Sequence, residues 1–357
     1  MKVLYVPEWY YVTYRNEHGN TLDFDRLNYF ADYPDTMILY NNISISPLDG
    51  HQFSDFLNTI KSFDPDIIVI VDSCCPLKVW AWDGLFAIAK ERSIPVVLFS
   101  DDYFYTNRIK QSYYYPKLNG IYLTTRHSKC LLEFKRDKPA RELLYPYINT
   151  TYFHDWGMPK KYDILLYGMS HSIKIEKNQY NVCTNEYFDS RGIFPYPDEY
   201  DFYPLRKRLF ELLLTQTRFK VHHIPQTPQG GNNCPIRTSE LSKLINQSYL
   251  TVATPSIMGK AMTKYWEILA SGSIILGEVP VDYKPELSDW IVKVNIDMTD
   301  EQILDIIDVQ LSDRLRLKEA GEKASKLVCT MYGDDSSLPR EYFYKNLHEL
   351  KDEISNK

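Results

Sequence analysis

The residue types best suited to chemistry lie in one short run, Gly259-Lys260-Ala261-Met262-Thr263-Lys264-Tyr265-Trp266-Glu267-Ile268-Leu269-Ala270-Ser271-Gly272. At about 100° per residue in a helix, Lys260, Lys264, Glu267 and Ser271 share a narrow sector. Met262, Trp266, Leu269 and Ala270 fall on the other side. A lysine near a helix start can neutralise a diphosphate together with the helix dipole. A carboxylate one turn later can accept two hydroxyl hydrogen bonds from a ribose. Small residues at Ser271 and Gly272 let a ligand approach the backbone. An exposed helix with a Lys264–Glu267 pair would read the same way, and the helix alone does not choose. Gly272 is a natural helix stop, and Ser273-Ile274-Ile275-Leu276 after it reads as a buried strand. A helix held between strands carries Lys and Glu where that face lines a cleft.

Other candidates sit at strand ends. His222-His223 follow the strand Phe219–Val221, where His223 can stack on a base or meet a phosphate; a half-exposed structural pair is the plainer reading. Asp101 and Asp102 follow the fourth strand of the first half, where a general base for an acceptor hydroxyl would stand, with Asp72 as a rival. Each also suits turn capping. Asp64-Pro65-Asp66 and Asp23-Phe24-Asp25 match a D-x-D pattern but read as structural, and no Cys/His cluster has zinc spacing. Gln229-Gly230-Gly231-Asn232-Asn233 reads as a loop. There is no G-x-x-x-x-G-K-[ST] loop and no strand-linked G-x-G-x-x-G, which weakens NTPase and dehydrogenase readings.

These residues need a scaffold of alternating strands and helices, and the sequence supplies one. Apolar runs at Val3–Val6, Thr36–Tyr40, Ile67–Val71, Val96–Phe99 and Ile121–Thr124 alternate with segments of helical period. Strands apolar on both faces, alternating with helices, imply a parallel sheet covered on both sides. Near residue 150 the periodicity stops, and Tyr162–Gly168 opens a second series. Met169 to Pro204 reads as a surface loop. The expected organisation is an α/β chain of two doubly wound domains facing a cleft. Residues 1–155 form the first domain and 156–335 the second, while 336–357 form a helix packing back on the first.

The chain has 357 residues, enough for two cores. The net charge of -6 argues against a general nucleic-acid binder. The 29 tyrosines suit wet clefts and sugar faces, or reflect composition bias. The N-terminus reads as a strand rather than a signal peptide, and no run approaches the roughly 20 apolar residues of a membrane helix. The six cysteines form no C-x-x-C pair, consistent with a reducing, cytoplasmic setting.

Ile245-Asn246-Gln247-Ser248, Thr254-Pro255-Ser256, Lys264 to Ser273 and Leu276-Gly277-Glu278-Val279-Pro280 occur in an order that resembles GT-B enzymes of the "glycosyl transferases group 1" type. The likeness is greatest to the branch with spore-protein-like and viral homologues. Tyr203-Pro204-Leu205-Arg206, Asp300-Glu301-Gln302-Ile303 and Met331-Tyr332-Gly333 extend it over about residues 160–350. The resemblance implies transfer of a sugar from a nucleotide-diphosphate sugar to a glycan, lipid or protein acceptor, with no metal and no further cofactor, residues 1–155 serving as the acceptor-side domain and 156–335 as the nucleotide-sugar-binding domain. It implies that Glu267 holds the donor ribose and that Lys264 lies at the phosphates. It also implies that Gly168 sits where the backbone nears the donor, with Arg206 as a phosphate partner. Related enzymes with paired glutamates carry another Glu at the position of Gly259, so that contact to the sugar is missing here. Non-catalytic nucleotide-sugar binding and nucleotide-sugar epimerisation are the alternatives. A periplasmic-type solute receptor would call for an export signal.

Overall fold

The structure, a computed structural model, describes residues 1–7, 29–39, 50–72, 79–100, 115–123, 138–142, 147–168, 170, 172–174, 199–225, 238–257, 259, 261–280 and 287–356. In chain order the elements are β1 (Val3–Pro7), β2 (Thr36–Ile38), α1 (Gly50–Phe63), β3 (Ile67–Asp72), α2 (Val79–Glu91), β4 (Val96–Ser100), β5 (Gly120–Leu123) and β6 (Ala140–Glu142). There follow β7 (Tyr162–Leu166), β8 (Ser172–Lys174), β9 (Glu199–Asp201), α3 (Pro204–Leu214), β10 (Val221–His223), α4 (Thr238–Asn246) and β11 (Ser248–Val252). The last are α5 (Thr263–Ala270), β12 (Ile274–Gly277), β13 (Ile291–Lys293), α6 (Asp300–Leu311), α7 (Arg314–Tyr332) and α8 (Leu338–Ser355).

The chain divides into two units, Met1–Tyr145 with Ser337–Lys357, and Pro146–Ser336. The first divide lies before the sequence-based boundary at residue 155, for a local reason. The Ile148 amide donates to the Tyr332 carbonyl. The Thr150 amide and hydroxyl both donate to Asp334 Oδ2, and Phe153 is buried. Residues 147–153 are thus bound to the end of α7 and belong to the second unit.

In the first unit six parallel strands run in the order β2-β1-β3-β4-β5-β6. Val3–Val6, Ile67–Ile70 and Val96–Leu98 are almost wholly buried, as interior parallel strands must be. The terminal helix α8 packs on β5 and β6.

The second unit holds a parallel sheet in the order β10-β7-β11-β12-β13. Ile164, Leu166, Leu250, Val252, Ile274 and Leu276 form one core with Leu205, Leu209 and Leu213 of α3 and Ile303, Ile307 and Leu311 of α6. Helices α4, α5 and α7 pack on the strands as well. The three-residue strands β6 and β13 are too short to show a period and were not anticipated. Within the stretch read as a loop, β8 and β9 form a short antiparallel pair.

Strand order fixes where a ligand can sit. From β7 the chain passes through α3 to β10 on one side, then crosses through α4 to β11 on the other. The carboxyl ends of β7 and β11 therefore flank a topological switch point, where doubly wound sheets leave a crevice.

Candidate functional site

Two cations lie crossed over that switch point. Arg206 stands in the first turn of α3, which follows β7, yet its Nη2 donates to the Thr254 carbonyl just beyond β11, at 2.9 Å. Lys264 stands in the first turn of α5, which follows β11, yet its Nζ donates to the Tyr167 carbonyl just beyond β7. Each cation also lies over a tyrosine face. Lys264 Nζ is 3.5 Å from the Tyr167 ring centre, and Arg206 Cζ is 3.8 Å from that of Tyr203. Such contacts contribute roughly 0.5–2 kcal/mol and hold a cation in place.

Gly168 is the point where the two meet. Its φ is +94°, and a Cβ there would sit 3.1 Å from Lys264 Nζ and 3.6 Å from Arg206 Nη1. A side chain at this position would crowd the lysine. Arg206 is 4% exposed. Burial pulls its guanidinium below its ordinary pKa, and the phenols of Tyr203, Tyr265 and Tyr167 push the other way. An arginine remains charged under such a shift.

Helix α5 begins at Met262, whose backbone is extended and whose side chain makes no capping bond. The first-turn N–H groups thus have no side-chain cap, and the positive end of the helix dipole lies beside Lys264. The helix is seated by Tyr265, whose buried phenol donates to the Ala253 carbonyl at 3.3 Å and the Glu278 carbonyl at 2.8 Å. Trp266 packs against Tyr332 at 5.5 Å between ring centres. Two cations, a helix N-terminus and a glycine suit a compact polyanion such as a diphosphate.

Of the residues singled out in the sequence, the structure brings together Gly168, Arg206 and Lys264. Glu267 lies one turn further along α5, partly exposed. His223 ends β10 in register with Leu166 of β7, and its ring packs edge-on against Phe210 at 5.6 Å. Burial, and then neighbouring His222, keep its pKa below the ordinary value.

Ser271 and Gly272 do not join the cations. Ser271 is fully buried, with its hydroxyl 3.0 Å from that of Ser242 and its carbonyl accepting from Asn246 Nδ2. Gly272 has φ +75° and is approached by the protein itself: a Cβ on Gly321 of α7 would lie 2.4 Å from the Gly272 carbonyl oxygen. They stop the helix at the far end of the strands and serve packing.

Lys260, Asp101 and Asp102 lie outside the described residues. Asp64 pairs with Arg92 at 2.8 Å, and Asp66 accepts from the Lys2 amide, so this D-x-D is structural. Among the described residues no group of three or more His, Cys, Asp or Glu is placed to hold a metal ion. Among them too, no helix is long and apolar enough to cross a membrane. Sequence reasoning missed Tyr167, Tyr203, Thr254 and Tyr265. Tyr203, Thr254 and Tyr265 lie within the motifs that carry the resemblance but were given no role there, and a Tyr-Gly pair closing a strand was the signal for Tyr167.

No protein-family model matches the sequence, and no curated protein matches it. Solved structures do. Sucrose-phosphate synthase from Thermosynechococcus elongatus aligns at 9% identity and TM-score 0.50, over 98% of this chain and 100% of that one. Anabaena Alr3699/HepE, in complex with UDP-glucose, aligns at 10% identity and TM-score 0.49, over 98% and 100%. UDP-GlcNAc 2-epimerase from Neisseria meningitidis, bound to UDP-GlcNAc, aligns at 13% identity and TM-score 0.43, over 98% and 100%. At 9% identity the likeness to the first is one of fold: the chain has the GT-B plan of two doubly wound α/β units.

Proposed function

We propose that the chain is a metal-independent glycosyltransferase that moves a sugar from a nucleotide-diphosphate sugar to the hydroxyl of a glycan, lipid or protein acceptor. The observation that carries this reading is the crossing of Arg206 and Lys264 over the β7/β11 switch point, with Gly168 beside both. In it, Lys264, Arg206 and the start of α5 neutralise the diphosphate and stabilise the charge that grows on it as the sugar leaves. Glu267 accepts hydrogen bonds from the ribose hydroxyls, and His223 and Lys260 flank the phosphates. Asp101 or Asp102 takes the acceptor proton. No cofactor and no nucleic acid enter the scheme, and its setting is the cytoplasm, where cysteines stay reduced. The spore-protein-like branch rests on the motif order alone.

Calorimetry with UDP, GDP, ADP, dTDP and pyrophosphate tests the assignment. Lys264→Met should weaken both the preferred nucleoside diphosphate and pyrophosphate by about 10–100-fold, the value of a lost charge-assisted hydrogen bond. Glu267→Ala should weaken the nucleoside diphosphate by a similar factor, about 1–3 kcal/mol, and leave pyrophosphate unchanged. Wild-type affinities in both folded variants would place the donor elsewhere. One observation favours binding without transfer: Gly259, at φ +71°, is a turn with no carboxylate. Donor that stays intact beside a range of acceptors would support that second reading, and donor converted to its epimer without acceptor would indicate an epimerase.

A further inference from the structure

Thr254 follows β11 at the switch point, is 0% exposed, and among the described residues its Oγ1 has no hydrogen-bond partner. Other buried hydroxyls of the second unit are treated differently. Thr251 Oγ1 pairs with Ser273 Oγ at 2.8 Å, Ser242 Oγ with Ser271 Oγ at 3.0 Å, and Ser248 Oγ donates to the Leu244 carbonyl at 2.8 Å. Leaving a buried hydroxyl unsatisfied costs free energy, so a group left this way at a strand end calls for an explanation. Pro255 follows and offers no N–H to it. The Thr254 carbonyl, meanwhile, is what holds the Arg206 guanidinium.

We infer that Thr254 is a ligand-binding residue whose hydroxyl donates to a phosphoryl oxygen of the nucleoside diphosphate, and that it gains this partner as Arg206 turns from the Thr254 carbonyl toward the anion. The inference rests on the diphosphate site proposed above. The guanidinium and the sealed hydroxyl lie at the same strand end. An arriving dianion offers acceptors to both, so binding would be coupled to a local rearrangement beyond β11.

Thr254→Val and Thr254→Ser, assayed with UDP, GDP, ADP and dTDP by calorimetry and by thermal melting, test this. Valine keeps the shape and removes the unsatisfied hydroxyl. It should melt at or above the wild-type temperature while affinity for the preferred nucleotide falls about tenfold. Serine restores a hydroxyl and should bind within about threefold of wild type. Wild-type affinity in the valine variant would overturn the role of Thr254 and leave the crossed cations standing. Equal losses in both variants would also overturn it, because the hydroxyl would not be the cause. A wild-type protein that binds none of the four nucleotides would overturn this inference together with the diphosphate reading.

Discussion

A methyl group at Gly168 would meet two cations, and that gives a test confined to one residue. At φ +94° any side chain is strained, by roughly 1–2 kcal/mol. The Cβ of Gly168→Ala would also press on Lys264 Nζ. Gly157 supplies the control, since at φ +64° its added Cβ meets nothing within 4 Å. Both alanine variants should lose stability in urea titrations, and only Gly168→Ala should also lose affinity for the nucleoside diphosphate. Equal affinities in the two would remove Gly168 from the site. At this scale the sequence was informative about which residues carry charge and less so about where along a helix they act. Ser271 shares a helical sector with Lys264 and Glu267, but seven residues of rise put it about 10 Å further along the axis, at the wrong end of the sheet. The bonds from Lys264 to Tyr167 and from Arg206 to Thr254 span 97 and 48 residues, separations that no periodicity encodes.

Single elements are held by ties of the same long range. Lys160, just before β7, donates to the Ser248 carbonyl at the start of β11 and, at 2.6 Å, to the Gly272 carbonyl at the turn after α5. Burial lowers its pKa to about 8, with Asp155 and Glu322 acting in the opposite direction. In the unfolded chain a lysine titrates near 10.4. Between these values the unfolded state binds more protons, so stability rises with pH. The contribution is complete above about 10.4 and is lost as pH falls through 8. Relative to Lys160→Met, the wild type should therefore gain about 2–3 kcal/mol in urea titrations from pH 8 to 10.4. A difference flat in pH would mean that the ammonium is solvated. Such ties explain which elements were legible. Strands β1, β3 and β4, and β7, β11 and β12, announce themselves as apolar runs because both faces are buried. Helix α5 is announced by its stop at Gly272. The residues around Ile148 and Phe153 carry no period, and only their bonds to Tyr332 and Asp334 assign them to the second unit.

At the scale of the whole molecule, alternating apolar runs gave the doubly wound plan of both units, while the assembly of the first depends on the last stretch of chain. Helix α8 brings Phe343, Tyr344, Leu347 and Leu350 into the core of that unit, all at most 2% exposed. The Tyr344 hydroxyl lies 2.9 Å from that of Tyr5 in β1 and donates to the Phe30 carbonyl at 2.6 Å. Arg141 of β6 meets Glu353 at 2.9 Å. Exposing four large apolar side chains costs about 2–3 kcal/mol each, which is comparable with the whole stability of a domain, about 5–15 kcal/mol. The second unit keeps its own core of strands, α3 and α6 without this helix. A chain ending at Ser336 should thus lose amide-exchange protection across β1 to β5 and keep it across β7 and β10 to β13. It should still bind the nucleoside diphosphate, because Gly168, Arg206, Thr254, Lys264 and Glu267 all lie within Pro146–Ser336. Protection retained in β1 to β5 would show that the first unit folds without its last helix. Binding lost while the second unit stays protected would mean that the ligand needs residues beyond these five.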